Sequence, residues 1–103
     1  MDSIKSPFEK GERRGTLEVY LDMLCVVGAH GEEGAKKTNI VYGARVGWKN
    51  IKKHLDYLIS RGLLEKHEDN TYHLRIEGIE VIKKHYLPIV EIFYPQVIIP
   101  EAL

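Results

Sequence analysis

Between Lys36 and His54 the chain carries six basic side chains, Lys36, Lys37, Arg45, Lys49, Lys52 and Lys53, and no carboxylate. Ammonium and guanidinium groups gathered in this way bind anions, and a local cluster on a neutral chain orients a polyanion. Lysine suits the O6 and N7 acceptors of guanine, and a carboxamide suits the N6 and N7 edge of adenine. Lys49, Asn50 and Lys53 are therefore the candidates for contact with base edges. Lys36, Lys37, Thr38, Arg45 and Lys52 are candidates for holding phosphates, helped by the amide groups that a helix start leaves free. Tyr57 has the phase to reach a phosphate, or else to cover neighbouring side chains.

Other chemistries find little support. The five histidines, His30, His54, His67, His73 and His85, match no ligand spacing, so no metal site is expected. Cys25 is the one cysteine, which rules out an internal disulfide, and beside Leu21 and Leu24 it reads as a small core residue. No glycine-rich loop follows a strand, no nucleophile lies near a base and no carboxylate pair marks a cleft. Neither an enzyme nor a cofactor is expected. Trp48 falls near Ile51 by angle and is expected to be partly buried, with stacking on a DNA backbone as the alternative.

These residues must be carried by one small domain. The chain has 103 residues, 44% of them apolar, and its 15 basic and 15 acidic side chains cancel to a formal charge of zero. Beyond His54 the balance turns acidic, with five Lys or Arg against eight carboxylates. The polar start has no signal-peptide core, and the apolar stretch 87–99 is too short and too broken to span a bilayer. A soluble cytoplasmic protein is the expectation.

Residues 1–14 read as a flexible basic arm, either a frayed tail, the favoured reading, or an arm in which Lys5, Lys10, Arg13 and Arg14 reach an adjacent groove. Leu17, Tyr20, Leu21, Leu24 and Val27 fall on one stripe, which predicts a first helix over 16–27. A glycine-rich loop leads to a short helix over 35–42, stopped by a left-handed Gly43, with Val46 plugging inward. A third helix over 48–61 buries Ile51, Leu55, Leu58 and Ile59, turns Lys49, Lys53, Tyr57 and Ser60 outward, and ends at Gly62. Two short runs around His67, Glu68, Asp69 and Asn70 form a hairpin that leans on the helices through Leu64, Tyr72 and Leu74. Ile79, Ile82, Tyr86, Ile89 and Phe93 come next at spacings of 3, 4, 3 and 4, a heptad seam.

This order, with Lys37-Thr38-Asn39-Ile40-Val41-Tyr42, Ile51-Lys52-Lys53-His54-Leu55-Asp56-Tyr57-Leu58 and Arg61-Gly62-Leu63-Leu64, resembles the small archaeal winged-helix DNA-binding proteins. The strand exit Tyr72-His73-Leu74 before Glu77-Gly78 is similar too. The resemblance implies a mainly α fold with a small β-hairpin: a winged helix-turn-helix with a three-helix core, a two-stranded wing and a C-terminal dimerisation helix. It implies a third helix in the major groove of double-stranded DNA. The division is an arm over 1–14, a DNA-binding domain over 15–75 and a dimerisation segment over 76–103.

Exposed in a monomer, the terminal seam would be a larger apolar patch than soluble proteins usually tolerate, so a homodimer is expected. A lesser reading packs Ile79 and Ile82 on the chain's own core and leaves only Tyr86 onward free. Pro88 either bends this helix or ends it. The wing tip is acidic and would be repelled by phosphates, so either the wing stays off the duplex, which is the favoured reading, or only Lys66, His73 and Arg75 at its base approach it. A sequence-selective regulator is the leading reading. A chromatin-like DNA binder and a protein–protein module are the alternatives.

Overall fold

A computed structural model describes residues 15–93, so the basic arm and the last ten residues of the tail lie outside it. Helix α1 (Thr16–Ala29) starts at an extended Gly15, whose carbonyl accepts the Val19 N–H at 3.1 Å. It ends where the His30 ring Nδ1–H donates to the Val26 carbonyl at 2.9 Å. Met23, Leu24 and Val27 form its buried stripe, whereas Leu17 projects beyond the core and is exposed.

Gly34 adopts φ 80° and ψ 166°, a conformation open essentially to glycine alone, and a β-carbon there would strike the His73 ring. It aims Ala35 at the hairpin. Ala35 exchanges both backbone hydrogen bonds with Tyr72, at 2.9 and 2.8 Å, and so acts as a one-residue strand instead of opening the second helix as the sequence suggests.

Helix α2 (Lys37–Ala44) follows Lys36, whose N–H donates to the Asn39 side-chain oxygen at 2.8 Å. Ile40, Val41 and Ala44 are buried. The left-handed stop falls on Arg45, with φ 59°, and not on Gly43 as expected. Gly43 lies inside the helix for a different reason: an added β-carbon would come within 3.0 Å of the Val26 methyl groups, so its bare backbone lets α2 lie close to α1.

Helix α3 (Ile51–Ser60) begins later than the sequence predicts, because residues 48–50 form a turn in which the Gly47 carbonyl accepts the N–H groups of Asn50 and Ile51 at 3.0 and 3.1 Å. Its end is as expected. Gly62 is left-handed at φ 77°, with Leu63 N–H bonded to Leu58 O at 3.1 Å and Gly62 N–H to Ile59 O at 2.9 Å. Strands β1 (Leu64–Lys66) and β2 (Tyr72–Leu74) then pair antiparallel, Leu64 opposite Leu74, Glu65 opposite His73 and Lys66 opposite Tyr72.

Helical backbone runs unbroken over 76–93 as α4 (Ile76–Val81), a π-helical turn (Ile82–Tyr86) and α5 (Leu87–Phe93). The helix therefore continues past Pro88. Leu87 N–H reaches back five residues to Ile82 O, and the widened turn just ahead of Pro88 relieves the crowding that its ring imposes on the preceding turn. This corrects the expected seam. Ile82 and Tyr86 are buried in the chain's own core together with Val90, Ile79 is half-buried, and only Ile89 and Phe93 of the predicted set are exposed. A heptad seam requires about 3.5 residues per turn; the wider π turn rotates the residues beyond it, bringing Val90 under Tyr86 instead of Ile89. The Tyr86 hydroxyl donates to the buried Asp22 carboxylate at 3.4 Å, tying this rod to α1.

Replacing Ile82 with alanine should therefore cost roughly 2–5 kcal/mol of stability, as for other buried aliphatic truncations. Urea unfolding at several protein concentrations checks it: the loss should be the same at each, whereas a residue lying in a subunit seam would show a concentration dependence.

Candidate nucleic-acid interface

With Ile51, Leu55 and Leu58 buried, the opposite side of α3 and the turn before it carry Lys49, Asn50, Lys53 and Tyr57 to the surface. Lys49 and Lys53 form no ion pair among the described residues. Asn50 takes the N-cap position of α3 without using its side chain to cap the helix. Lys52 is engaged differently. Its ammonium lies 2.7 Å from Asp56 with both side chains well exposed, a pair of small energetic worth that a phosphate can replace.

Lys36, Lys37 and Thr38 stand exposed at the start of α2, and Arg45 is exposed at its end. They border the same stretch of chain that leads into α3. Tyr57 is half exposed, but its ring is stacked on Tyr20 with centroids 4.9 Å apart, and Tyr20 in turn meets His54 edge to face at 5.2 Å. Of the two roles open to Tyr57 in the sequence, covering a neighbour is the one this geometry displays.

Trp48 departs from expectation. It is 53% exposed instead of partly buried beside Ile51, and it meets Tyr42, 73% exposed, edge to face at 6.3 Å. Its place between Gly47 and Lys49, ahead of the first buried residue of α3, was the available signal.

The hairpin divides its charges between two faces. Lys66 lies over the Tyr72 ring at 5.9 Å, on the hairpin whose first strand packs against α3; burial, and then the Asp56 charge on α3, raise the pKa of the Tyr72 phenol. Glu65, His67, His73 and Arg75 belong to the other side. There Glu65 meets His67 at 2.8 Å and Arg75 at 3.3 Å, and the two imidazoles stack at 3.7 Å. The hydrogen bond from His67 is the main cause that holds the Glu65 carboxyl below its ordinary range. Thr71 donates its hydroxyl to Asp69 at 2.6 Å and accepts from His73 Nε2 at 2.7 Å. Lys66, His73 and Arg75 therefore do not share a face.

The arrangement of α2, tight turn, α3 and hairpin agrees with a family match: the model of winged helix-turn-helix proteins covers residues 13–87. The chain belongs to the winged helix-turn-helix family. It is similar to an uncharacterized protein of the archaeon Methanocaldococcus jannaschii, 33% identical over 82 residues, which are 79% of this chain and 75% of that protein. No solved structure matches it. A winged helix-turn-helix suggests DNA binding. The match ends at Leu87, so the exposed Ile89, Ile92 and Phe93 lie beyond it.

Among the described residues no three His, Cys, Asp or Glu side chains come together to hold a metal ion, and no helix is long and apolar enough to cross a membrane. Burial, and then Asp22, push the Cys25 thiol up to about 12, which keeps it protonated and unreactive near neutral pH.

His54 links the core to the basic face. Burial, and then the neighbouring Lys53 charge, lower its pKa from the ordinary 6.5. A histidine held neutral in this way contributes stability in full above 6.5, and that contribution is lost as pH falls below it toward the folded value. The His54 ring should titrate by NMR with a midpoint below 6.5, and Lys53→Ala should move the midpoint upward. A midpoint unmoved by Lys53→Ala would show that the ammonium does not reach the ring.

Proposed function

We propose that this chain is a sequence-selective double-stranded DNA-binding protein, a cytoplasmic transcriptional regulator that works as a homodimer and has no catalytic activity. The observation that carries the reading is the outer face of α3, where Lys49 and Lys53 stand exposed and unpaired among the described residues, with the Asn50 amide beside them. In the major groove these three side chains meet base edges, while Lys36, Lys37, Thr38, Arg45 and Lys52 hold the flanking phosphates. Lys66, beside Tyr72 on the hairpin, is a further phosphate ligand on this reading. Membership of the winged helix-turn-helix family supports it.

The homodimer is supported by Ile89, Ile92 and Phe93, which are 51%, 69% and 69% exposed within five residues of one helix end. A two-fold pair would set its recognition helices one helical turn of DNA apart, or a multiple of it. The acidic tip Glu68-Asp69 favours a second reading, in which the basic face docks an acidic protein partner; the same variants separate the two.

Lys49→Ala combined with Lys53→Ala should weaken duplex binding by about 1–3 kcal/mol per lysine and flatten the dependence on log salt. A mobility-shift titration at two salt concentrations, on random and genomic duplex, measures both; a regulator keeps a large specificity ratio as salt weakens all binding. Unchanged affinity would remove α3 from the interface. Ile89→Asp with Phe93→Asp should convert a dimer to a folded monomer in sedimentation equilibrium, with the helical circular dichroism retained.

A further inference from the structure

Tyr42 and Trp48 form an exposed aromatic corner on the basic stretch of the chain, and the recognition of base edges by α3 does not use it. Tyr42 is on α2 and Trp48 in the turn before α3, with Arg45 and Lys49 between and beside them in sequence. The rings meet only edge to face, at 6.3 Å and 82°, which leaves a broad face of each uncovered, unlike Tyr57, whose face is taken up by Tyr20. Two large aromatic side chains that are 73% and 53% exposed hold apolar area in water that a flat partner would cover. The charge of the segment that carries them selects the partner, since no carboxylate occurs between Lys36 and His54.

Open ring faces carried on a stretch of chain whose charged side chains are all basic are what single-stranded nucleic acid engages, its bases stacking on the rings while cations follow its backbone. A base inside a duplex is already stacked on its neighbours and offers no face. We propose that the Tyr42–Trp48 corner takes an unpaired nucleobase of a DNA strand running off the duplex held by α3, so that duplex with a single-stranded overhang binds more tightly than blunt duplex. The inference rests on the reading of α3 as the DNA-facing surface.

Trp48 is the only tryptophan, so its emission reports on the corner directly. Fluorescence anisotropy of end-labelled blunt duplex, and of the same duplex with a short thymine overhang, is measured for the full chain and for Trp48→Ala, Trp48→Phe and Tyr42→Ala. The overhang should tighten binding by about tenfold, the gain should vanish in Trp48→Ala and largely survive in Trp48→Phe, and the overhang should quench Trp48 more than blunt duplex does. All variants should keep the circular dichroism and blunt-duplex affinity of the parent, since neither side chain belongs to the core. Blunt duplex bound normally with no gain from the overhang, or a gain that survives Trp48→Ala, would overturn this inference alone. Failure to bind either DNA would overturn the reading of α3 as well. Trp48 emission that changes with protein concentration in the absence of DNA would assign the corner to a contact between subunits and overturn the proposal.

Discussion

Ile51, Leu55 and Leu58 leave almost no area to solvent, and their spacing of four and three puts them on one side of α3. Each buried branched side chain stabilises the fold by about 1.5–3 kcal/mol relative to exposure. Any rotation of the helix would bring them into water and drive an ammonium group into the core, where an unpaired charge costs several kcal/mol. The roll of α3 is thereby set, and with it the outward direction of Lys53. Lys49 and Asn50 depend instead on the turn closed by the Gly47 carbonyl, so the three candidate base contacts are positioned by two different devices.

The terminal rod is governed by the same competition between burial and helical phase. Ile82, Tyr86 and Val90 reach the core at equal spacings of four through a π-helical turn, and Tyr86 adds a hydrogen bond to Asp22. An α-helix of uniform pitch would carry the stripe toward Ile89. Because the turn widens instead, most of what read as a seam between subunits becomes core, and a smaller apolar end at Ile89, Ile92 and Phe93 is left exposed.

The hairpin illustrates how strand alternation sorts charge. Residues opposite and two apart share a face, so Lys66 joins Tyr72 on one side, while Glu65 gathers His67, His73 and Arg75 on the reverse. The acidic tip also has an internal use. Asp69 accepts the Thr71 N–H and hydroxyl, and these bonds, the hydroxyl first, lower its pKa; the carboxylate thus shapes the turn whatever it does to an approaching phosphate.

The buried face and outward lysines of α3, the Gly62 stop, the inward Val46 and the hairpin were legible in residue types and spacing, because periodic burial and turn chemistry act within a few residues of one another. Ala35 as a strand, Gly43 as a contact point, Arg45 as the left-handed stop and the exposure of Trp48 were not legible in the same way. Three of them depend on a neighbour distant in sequence or on where a helix begins, Tyr72 for Ala35, Val26 for Gly43 and the turn ahead of α3 for Trp48, while Arg45 marks where α2 ends. The sequence by itself determined which side chains carry positive charge and which stripe of each helix seeks the core. Only the tertiary structure decided which apolar residues of the last helix the core could accommodate, since that choice depends on the contact with α1 and the local widening of the helix, and neither is encoded in a repeat of seven.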